Sequence, residues 1–397
     1  MIVKLVYFIS KFHGFYATID FLVEYSIRVL LPTQKSWERY LEMYSATYKD
    51  FGPSQKFYKD PGRFLKNMAI VLRSSTEQEK GILLIAYNYA FPTLTYLFNI
   101  DEITKRYHIV IEPSTARFCM PDILMFKGLN TDVFVQTGEI RDERFLNRFS
   151  DNLIPVPIAA NWWIDSRIFA PNKAVEKDID IIMVSSWLKL KRHYLLFEAL
   201  QKLKKRGKIF TCVLVGYPID ITKQDIIDLA CKYDVLEQVT LFESLNQVQI
   251  AKLYQRSKLN LLLSKREGFN RSVIEGLHAD VPCLIREGFN FGDKYSYINE
   301  QTGGYFNDDT LDKAIEASIT NIHKYTPHNW IKENKFTAQN AAIILEKAIY
   351  DTSCNKISSK VSALDGMEYW TPEDIDNFSS DYEFLIECIK DEILINE

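Results

Sequence analysis

Glycine is scarce in this chain, 15 of 397 residues, and no G-x-G-x-x-G follows any early strand-like run. A dinucleotide site needs that spacing so that backbone can approach the pyrophosphate. Its absence argues against a nicotinamide-dependent oxidoreductase, although the strand–helix alternation alone would fit one. Cysteine is equally sparing. The six cysteines, at 119, 212, 231, 283, 354 and 388, show no C-x-x-C and no histidine-rich spacing. That excludes a zinc ribbon and a disulfide framework, and a reducing, cytoplasmic compartment is expected. Cys212 and Cys283 lie within apolar strand runs and read as buried thiols. Positive charge is not in excess: 48 Lys and Arg stand against 52 Asp and Glu, so nucleic acid is not the expected partner.

A long hydrophobic run is also missing. The apolar N-terminus, MIVKLVYFIS and onward to Leu31, is interrupted by Lys4, Lys11, Asp20, Glu24 and Arg28. It holds no stretch of about 18 apolar residues that could span a bilayer. The compact charged, apolar and small-residue order of a cleaved signal peptide is lacking too. Ordinary packing is the expectation, with a surface helix touching the inner face of the membrane as the alternative. There is no internal repeat and no low-complexity segment.

What the chain does have is length and alternation. With 47% hydrophobic residues over 397, it can build two domains with real cores. Short apolar runs, GILLIAY (81–87), YHIVIE (107–112), DVFVQ (132–136) and LIPVPI (153–158), are mostly separated by helical or turn-rich sequence. The pattern resumes with IDIIMV, a helix over 192–206 ended by Gly207, IFTCVLV, a capping box at Thr222 and Asp225, QVTLF, and a helix capped near Asn246. It predicts parallel sheets covered by helices, with ligands at the carboxyl ends of the strands. NWWIDSRIFAP (161–171) reads as a crossover. The expected domains are 1–165, 166–350 and a helical tail over 351–397 that either returns to the first domain or binds a partner.

The most telling segment is SKLNLLLSKREGFNRSVIEGLHAD (257–280). It predicts a buried strand over Leu259 to Leu263, a loop holding Glu267, and a helix capped by Asn270 with Glu275 about one turn in. The free N–H groups at such a helix start attract phosphate. Flanking carboxylates can take the hydroxyls of sugar and ribose. Alone, the segment fits an ordinary strand-loop-helix unit with two solvated glutamates just as well.

The same segment resembles the E-x7-E signature of glycosyltransferase family 4, retaining nucleotide-sugar transferases of the two-domain GT-B fold. VSSWLKLKRHYLLFEAL (184–200), Gly216 in VLVGYP and INEQTGGYF (298–306) resemble family segments in the same order. The likeness spans about Val184 to Phe306. It implies an α/β GT-B architecture of two Rossmann-like, doubly wound domains facing a cleft. It also implies transfer of a sugar from a nucleoside-diphosphate donor to a glycan or lipid-linked acceptor hydroxyl, with neither metal nor cofactor.

By position, the resemblance assigns Glu267 to the donor sugar and Glu275 to the ribose. Gly268 and Phe269 wall the sugar pocket, and Asn270 and Arg271 open the helix toward the diphosphate. Lys191 falls on the family's loop lysine. The family's arginine is replaced by Ser186 and its following glycine by Arg192, so Lys189 or Arg192 supplies the second charge. Gly216 ends the neighbouring strand. In the first domain no glycine-rich loop follows the strand at 81; Tyr87-Asn88-Tyr89-Ala90 stands there instead. Glu112 stands where relatives often carry a histidine, as a group to stabilise developing charge or orient the acceptor. His13 and His108 read as structural, and His193 and His278 as flanking the site behind its contacting residues. A non-catalytic nucleotide-sugar-binding scaffold on the same fold is the competing reading.

Overall fold

The computed structural model describes residues 60–114, 121–264, 267–287, 296–353 and 379–390, residue 89 apart, with a few positions between 35 and 59. The apolar N-terminal segment and His13 lie outside the described residues. The chain forms two compact units. One contains the residues up to Ala160 and from Ala341 onward; the other is the continuous segment Asn161–Asn340.

In the first unit, helix α1 (Pro61–Met68) begins with proline, and the Asp60 side chain accepts the Arg63 N–H at 3.0 Å. At Ala69 the backbone becomes extended and β1 (Ala69–Arg73) begins at once. This strand lies upstream of residue 81, where strand signals are expected to start. AIVLR follows Lys66-Asn67-Met68 at the end of α1 with no glycine or proline to mark the change. β1 pairs antiparallel with β2 (Gly81–Ala86), so the sheet is mixed. β2, β3 (Tyr107–Glu112), β4 (Val133–Gln136) and β5 (Leu153–Val156) are parallel, and the sheet order is β1-β2-β3-β4-β5. Helices α2 (Ala90–Leu97), α3 (Ile100–Arg106) and α4 (Ile140–Phe149) connect them.

The second unit is a parallel sheet of β6 (Ile179–Val184), β7 (Cys212–Gly216), β8 (Val239–Glu243), β9 (Ser257–Leu262), β10 (Cys283–Arg286) and β11 (Gly303–Phe306). Its order is β11-β10-β9-β6-β7-β8, the doubly wound arrangement in which the chain works outward from β6 and then returns to start again beside it at β9. Each strand alternates between two cores. Ile182, Val213, Leu262 and Ile285 face one, whereas Ile181, Leu214, Leu261 and Leu284 face the other. Cys212 and Cys283 are buried free thiols whose pKa values burial pushes up.

The crossover helices are α5 (His193–Lys205), α6 (Lys223–Lys232), α7 (Gln247–Gln255) and α8 (Arg271–His278), and α9 (Leu311–Thr320) and α10 (Pro327–Glu333) follow the last described strand. The Thr222–Asp225 capping box forms, and Asn246 closes a second one with Gln249. Gly207 takes the left-handed conformation that ends α5.

Helix α11 (Ala338–Ser353) leads back to the first unit, where α12 (Ser379–Glu387) packs on α1. The buried Asp381 carboxylate accepts hydrogen bonds from Ser74 Oγ at 2.6 Å and from the Tyr107 hydroxyl. Burial, then the bond to Asp381, pushes the Tyr107 pKa well up.

Candidate functional site

β6 and β9 are neighbours whose onward connections leave in opposite directions, to β7 and to β10. The chain therefore leads away from their carboxyl ends to opposite sides, and this switch point is where a doubly wound sheet binds ligands. The loop after β6 runs through Ser185 to a 3-10 turn at Lys189–Lys191; the loop after β9 carries Glu267. They meet. The Lys191 ammonium pairs with Glu267 Oε1, which also accepts from Ser264 Oγ. Both side chains are largely enclosed, 12% and 11% exposed, so water screens the pair only weakly.

The following helix opens as its sequence dictates. Asn270 accepts the Val273 N–H at 3.0 Å and the Ser272 hydroxyl at 2.8 Å. Asn260 on β9 and the buried Tyr254 on α7 both donate to the Ser272 carbonyl, at 2.9 and 2.8 Å. A Cβ on Gly276 would come within 3.0 Å of Asn260 Nδ2, so the glycine lets α8 lie close to the strand. Glu275 and Phe269 are buried and Gly268 is half-buried. The Arg271 guanidinium donates to the Trp163 carbonyl at 2.7 Å.

Around the lysine loop the expected residues divide. Gly216 is fixed by crowding: a Cβ there would collide with the Ser185 carbonyl and reach 2.5 Å from Trp187 Nε1. Ser186 is half-buried, and its carbonyl accepts the Leu188 N–H at 3.0 Å. Lys189 is exposed, and its backbone N–H donates to Asp220 at 2.9 Å.

Arg192 turns elsewhere. It is left-handed (φ 59°, ψ 43°), a conformation costing a non-glycine residue about 1–2 kcal/mol. Its side chain is 2% exposed and donates through Nη2 to Asp308 Oδ1 at 2.6 Å. Arg286 Nε reaches the same oxygen at 3.0 Å. Burial works against ionisation of Asp308, but the two guanidiniums outweigh it and hold the carboxyl below its usual range. Arg192 Nε and Nη1 are buried without a hydrogen-bond partner.

Next to it, His193 is buried, and burial with the Lys191 charge pushes its pKa down to about 4. His278 behaves alike, at about 4 through burial and His328. Glu112 belongs to the first unit, buried at the end of β3 with its carbonyl accepting the Tyr87 N–H at 3.1 Å. Tyr87 is itself left-handed, at φ 70°. Ser264, Asp308, Arg286, Asn260 and Tyr254 escape a motif reading. Only Asn260, a polar residue inside the apolar run LNLLL, carries a visible signal.

The loops after β6 and β9, the Lys191–Glu267 pair and the capped helix all lie within a segment that matches a known family model. Residues 165–336 match the model for glycosyl transferases group 1. The match covers nearly the whole second unit, rather under half of the chain, and supports glycosyl transfer from a nucleotide sugar as its chemistry.

Solved structures extend the likeness in fold. Sucrose-phosphate synthase from Thermosynechococcus elongatus aligns with a TM-score of 0.53 at 13% identity, over 81% of this chain and 80% of that one. A mutant of S. aureus TarM in complex with fondaparinux, α-GlcNAc-glycerol and UDP gives 0.51 at 15%, over 67% of this chain and 55% of its own. Anabaena HepE in complex with UDP-glucose gives 0.50 at 13%, over 68% and 79%. The fold is of the GT-B type, two Rossmann-like α/β units. No curated protein matches the sequence. Among the described residues, no group of three or more His, Cys, Asp or Glu could hold a metal ion, and no helix is long and apolar enough to cross a membrane.

Proposed function

We propose that this protein is a retaining glycosyltransferase that moves a hexosyl group from a nucleoside-diphosphate sugar to the hydroxyl of a glycan or lipid-linked acceptor, in cytoplasmic synthesis of a polysaccharide or cell-surface glycan. The observation that carries the reading is the enclosed pairing of Lys191 with Glu267 from the loops at the carboxyl ends of the adjacent strands β6 and β9. Breaking a glycosidic bond to diphosphate leaves negative charge on the departing group. A preorganised cation and the free N–H groups opening α8 are suited to stabilise it.

In this reading Lys191 neutralises the leaving diphosphate, Glu267 exchanges part of its contact with Lys191 for donor-sugar hydroxyls, and Glu275 takes the ribose. Gly268, Phe269 and Asn270 bound the pocket. Lys189, exposed beside the turn, is the cation free to swing toward the second phosphate. Ser186 offers a hydroxyl where the family carries a charge. Arg271 and Gly216 shape the loops, and Glu112 acts on the acceptor side. The chemistry needs no cofactor or metal ion where lysine and helix dipole meet the diphosphate. Retention follows from front-face attack assisted by the departing phosphate, which requires no protein nucleophile.

A thermal-shift panel of nucleotide sugars tests this. The cognate donor, at about 100 times its dissociation constant, should stabilise the protein by about 2.7 kcal/mol. A panel without any shift would sink the reading. Stabilisation without hydrolysis or transfer would favour a binding scaffold instead. Glu275→Ala should weaken nucleoside-diphosphate affinity, whereas Glu267→Ala should chiefly slow transfer.

A further inference from the structure

We propose that Arg192 and Asp308 form a tether that positions Lys191, and that they act through the lysine rather than on the donor. The proposal rests on the function just given. Residue 192 carries two unfavourable features at once. Its backbone is left-handed, which glycine adopts freely and arginine does not. Its guanidinium is 98% buried, yet it bonds only Asp308 and leaves Nε and Nη1 unmatched. A glycine would shape the same turn with neither defect, so the side chain must do something that the turn alone does not.

What it does is cross the carboxyl edge of the sheet. Arg192 lies in the loop after β6 and Asp308 in the turn after β11, 116 residues on and at the far edge beyond β9 and β10. Arg286 at the end of β10 holds the same carboxylate oxygen and fixes the anchor. At the other end, the Arg192 N–H closes the turn onto the Lys189 carbonyl at 3.1 Å, and the Lys191 N–H donates to the Leu188 carbonyl at 2.9 Å. Lys191 is thus held between a closed backbone turn and an anchored neighbour. Its long, flexible stem is aimed at Glu267, whose Oε1 also accepts from Ser264 Oγ. A glycine at 192 would leave this lysine more conformations to search before each turnover.

The test compares the parent with Asp308→Asn and with the double variant Arg192→Gly/Asp308→Asn, using hydrolysis or transfer of the donor found by thermal shift. Affinity for the matching nucleoside diphosphate is measured alongside by calorimetry. Asp308→Asn should lose both melting temperature and rate, because it strands the buried guanidinium. The double variant removes that stranded charge and puts glycine where glycine fits, so its melting temperature should recover. Its kcat should nevertheless stay at least about tenfold below the parent, with the donor KM within about threefold. Rate recovery to within about twofold would mean that the pair only balances its own charge, and would overturn the proposal. A loss confined to KM would overturn it too, by placing Arg192 on the donor.

Should the double variant fail to fold, Asp308→Glu decides. Lowered kcat with unchanged KM supports the tether, and unchanged kinetics overturn it. A parent that binds no nucleoside diphosphate overturns the functional reading, and this proposal with it. A parent that turns over normally while the double variant matches it overturns the tether alone.

Discussion

The two units use the same parts in different orders. In the second, the order β11-β10-β9-β6-β7-β8 reverses beside β6, and two loops leave neighbouring strands in opposite directions. In the first, the described strands run β1 to β5 in chain order, and β1 is antiparallel. Each parallel strand there is followed by its own spatial neighbour, so no pair of adjacent loops diverges among the described residues. The paired lysine and carboxylate occur in the unit with the reversal. An α/β sheet does not by itself make a site; the point at which its winding changes direction does. The chemistry proposed for the second unit and the stability of both can therefore be disturbed separately.

The largest expected effect lies at the reversal. Lys191→Ala should lower the rate of transfer by about 10²–10³, the usual loss for one preorganised donor, and should lower the melting temperature as well, because it strands the enclosed Glu267 carboxylate. Lys191→Arg should restore only part of it, because a planar fork replaces a point charge poorly. A folded Lys191→Ala protein within about threefold of the parent would place the diphosphate elsewhere.

Acid should separate the units next. His193 and His278 in the second unit, and His108 in the first, have pKa values pushed down to about 4, chiefly by burial. Each is neutral in the folded protein, while the unfolded chain takes up a proton near pH 6.5. Their contribution to stability is therefore full above about 6.5 and is lost as pH falls toward 4. At pH 5 the loss is about 2 kcal/mol per histidine. Hydrogen exchange at pH 7 and 5 should show the second unit, with two such groups, weakening more than the first. Equal weakening would remove the asymmetry.

A matched pair of glycines sharpens the contrast further. A Cβ on Gly81 would lie 2.5 Å from the Arg73 carbonyl and 2.6 Å from the Tyr107 ring; one on Gly216 would strike the Ser185 carbonyl. Each alanine substitution should cost about 1–3 kcal/mol. Only Gly216→Ala should also slow transfer, since it displaces the loop that leads to Lys191. The smallest effect on activity should come from Asp381→Ala, which frees Ser74 and Tyr107 and should cost the first unit about 1–3 kcal/mol. Activity per folded molecule should stay unchanged, as read by kcat against urea-melt midpoint.

Much of this was legible in the sequence wherever one physical rule dominated. IDIIMV, GILLIA and YHIVIE are strands because short segments dominated by apolar and β-branched residues fit a sheet interior. Thr222 with Asp225, Asn246 and Asn270 cap helices because their side chains satisfy N–H groups that the helix leaves open. β1 was hidden because AIVLR follows a helix with no punctuation. The fate of Arg192 was hidden for a different reason: nothing in an arginine announces a left-handed backbone, and its partner lies 116 residues away. That Arg192 turns to Asp308, while Lys189 stays exposed, is visible only through that long-range contact. That Lys191 and Glu267 meet also depended on strand order, which local pattern does not encode.

The second unit is one uninterrupted stretch, Asn161–Asn340, whereas the first is completed only when Asp381 reaches Tyr107 and Ser74. Synthesis runs in one direction, and domains fold as units during it. Here the order of emergence is inverted: the inserted unit has all its described strands while the earlier one still awaits α12. Until residue 390 leaves the ribosome, Tyr107 and the adjoining sheet have no α12 to cover them. Chains stalled near residue 378 should resist protease across the second unit and be cut in the first. Equal resistance in both would show that the tail arrives at a unit already finished without it.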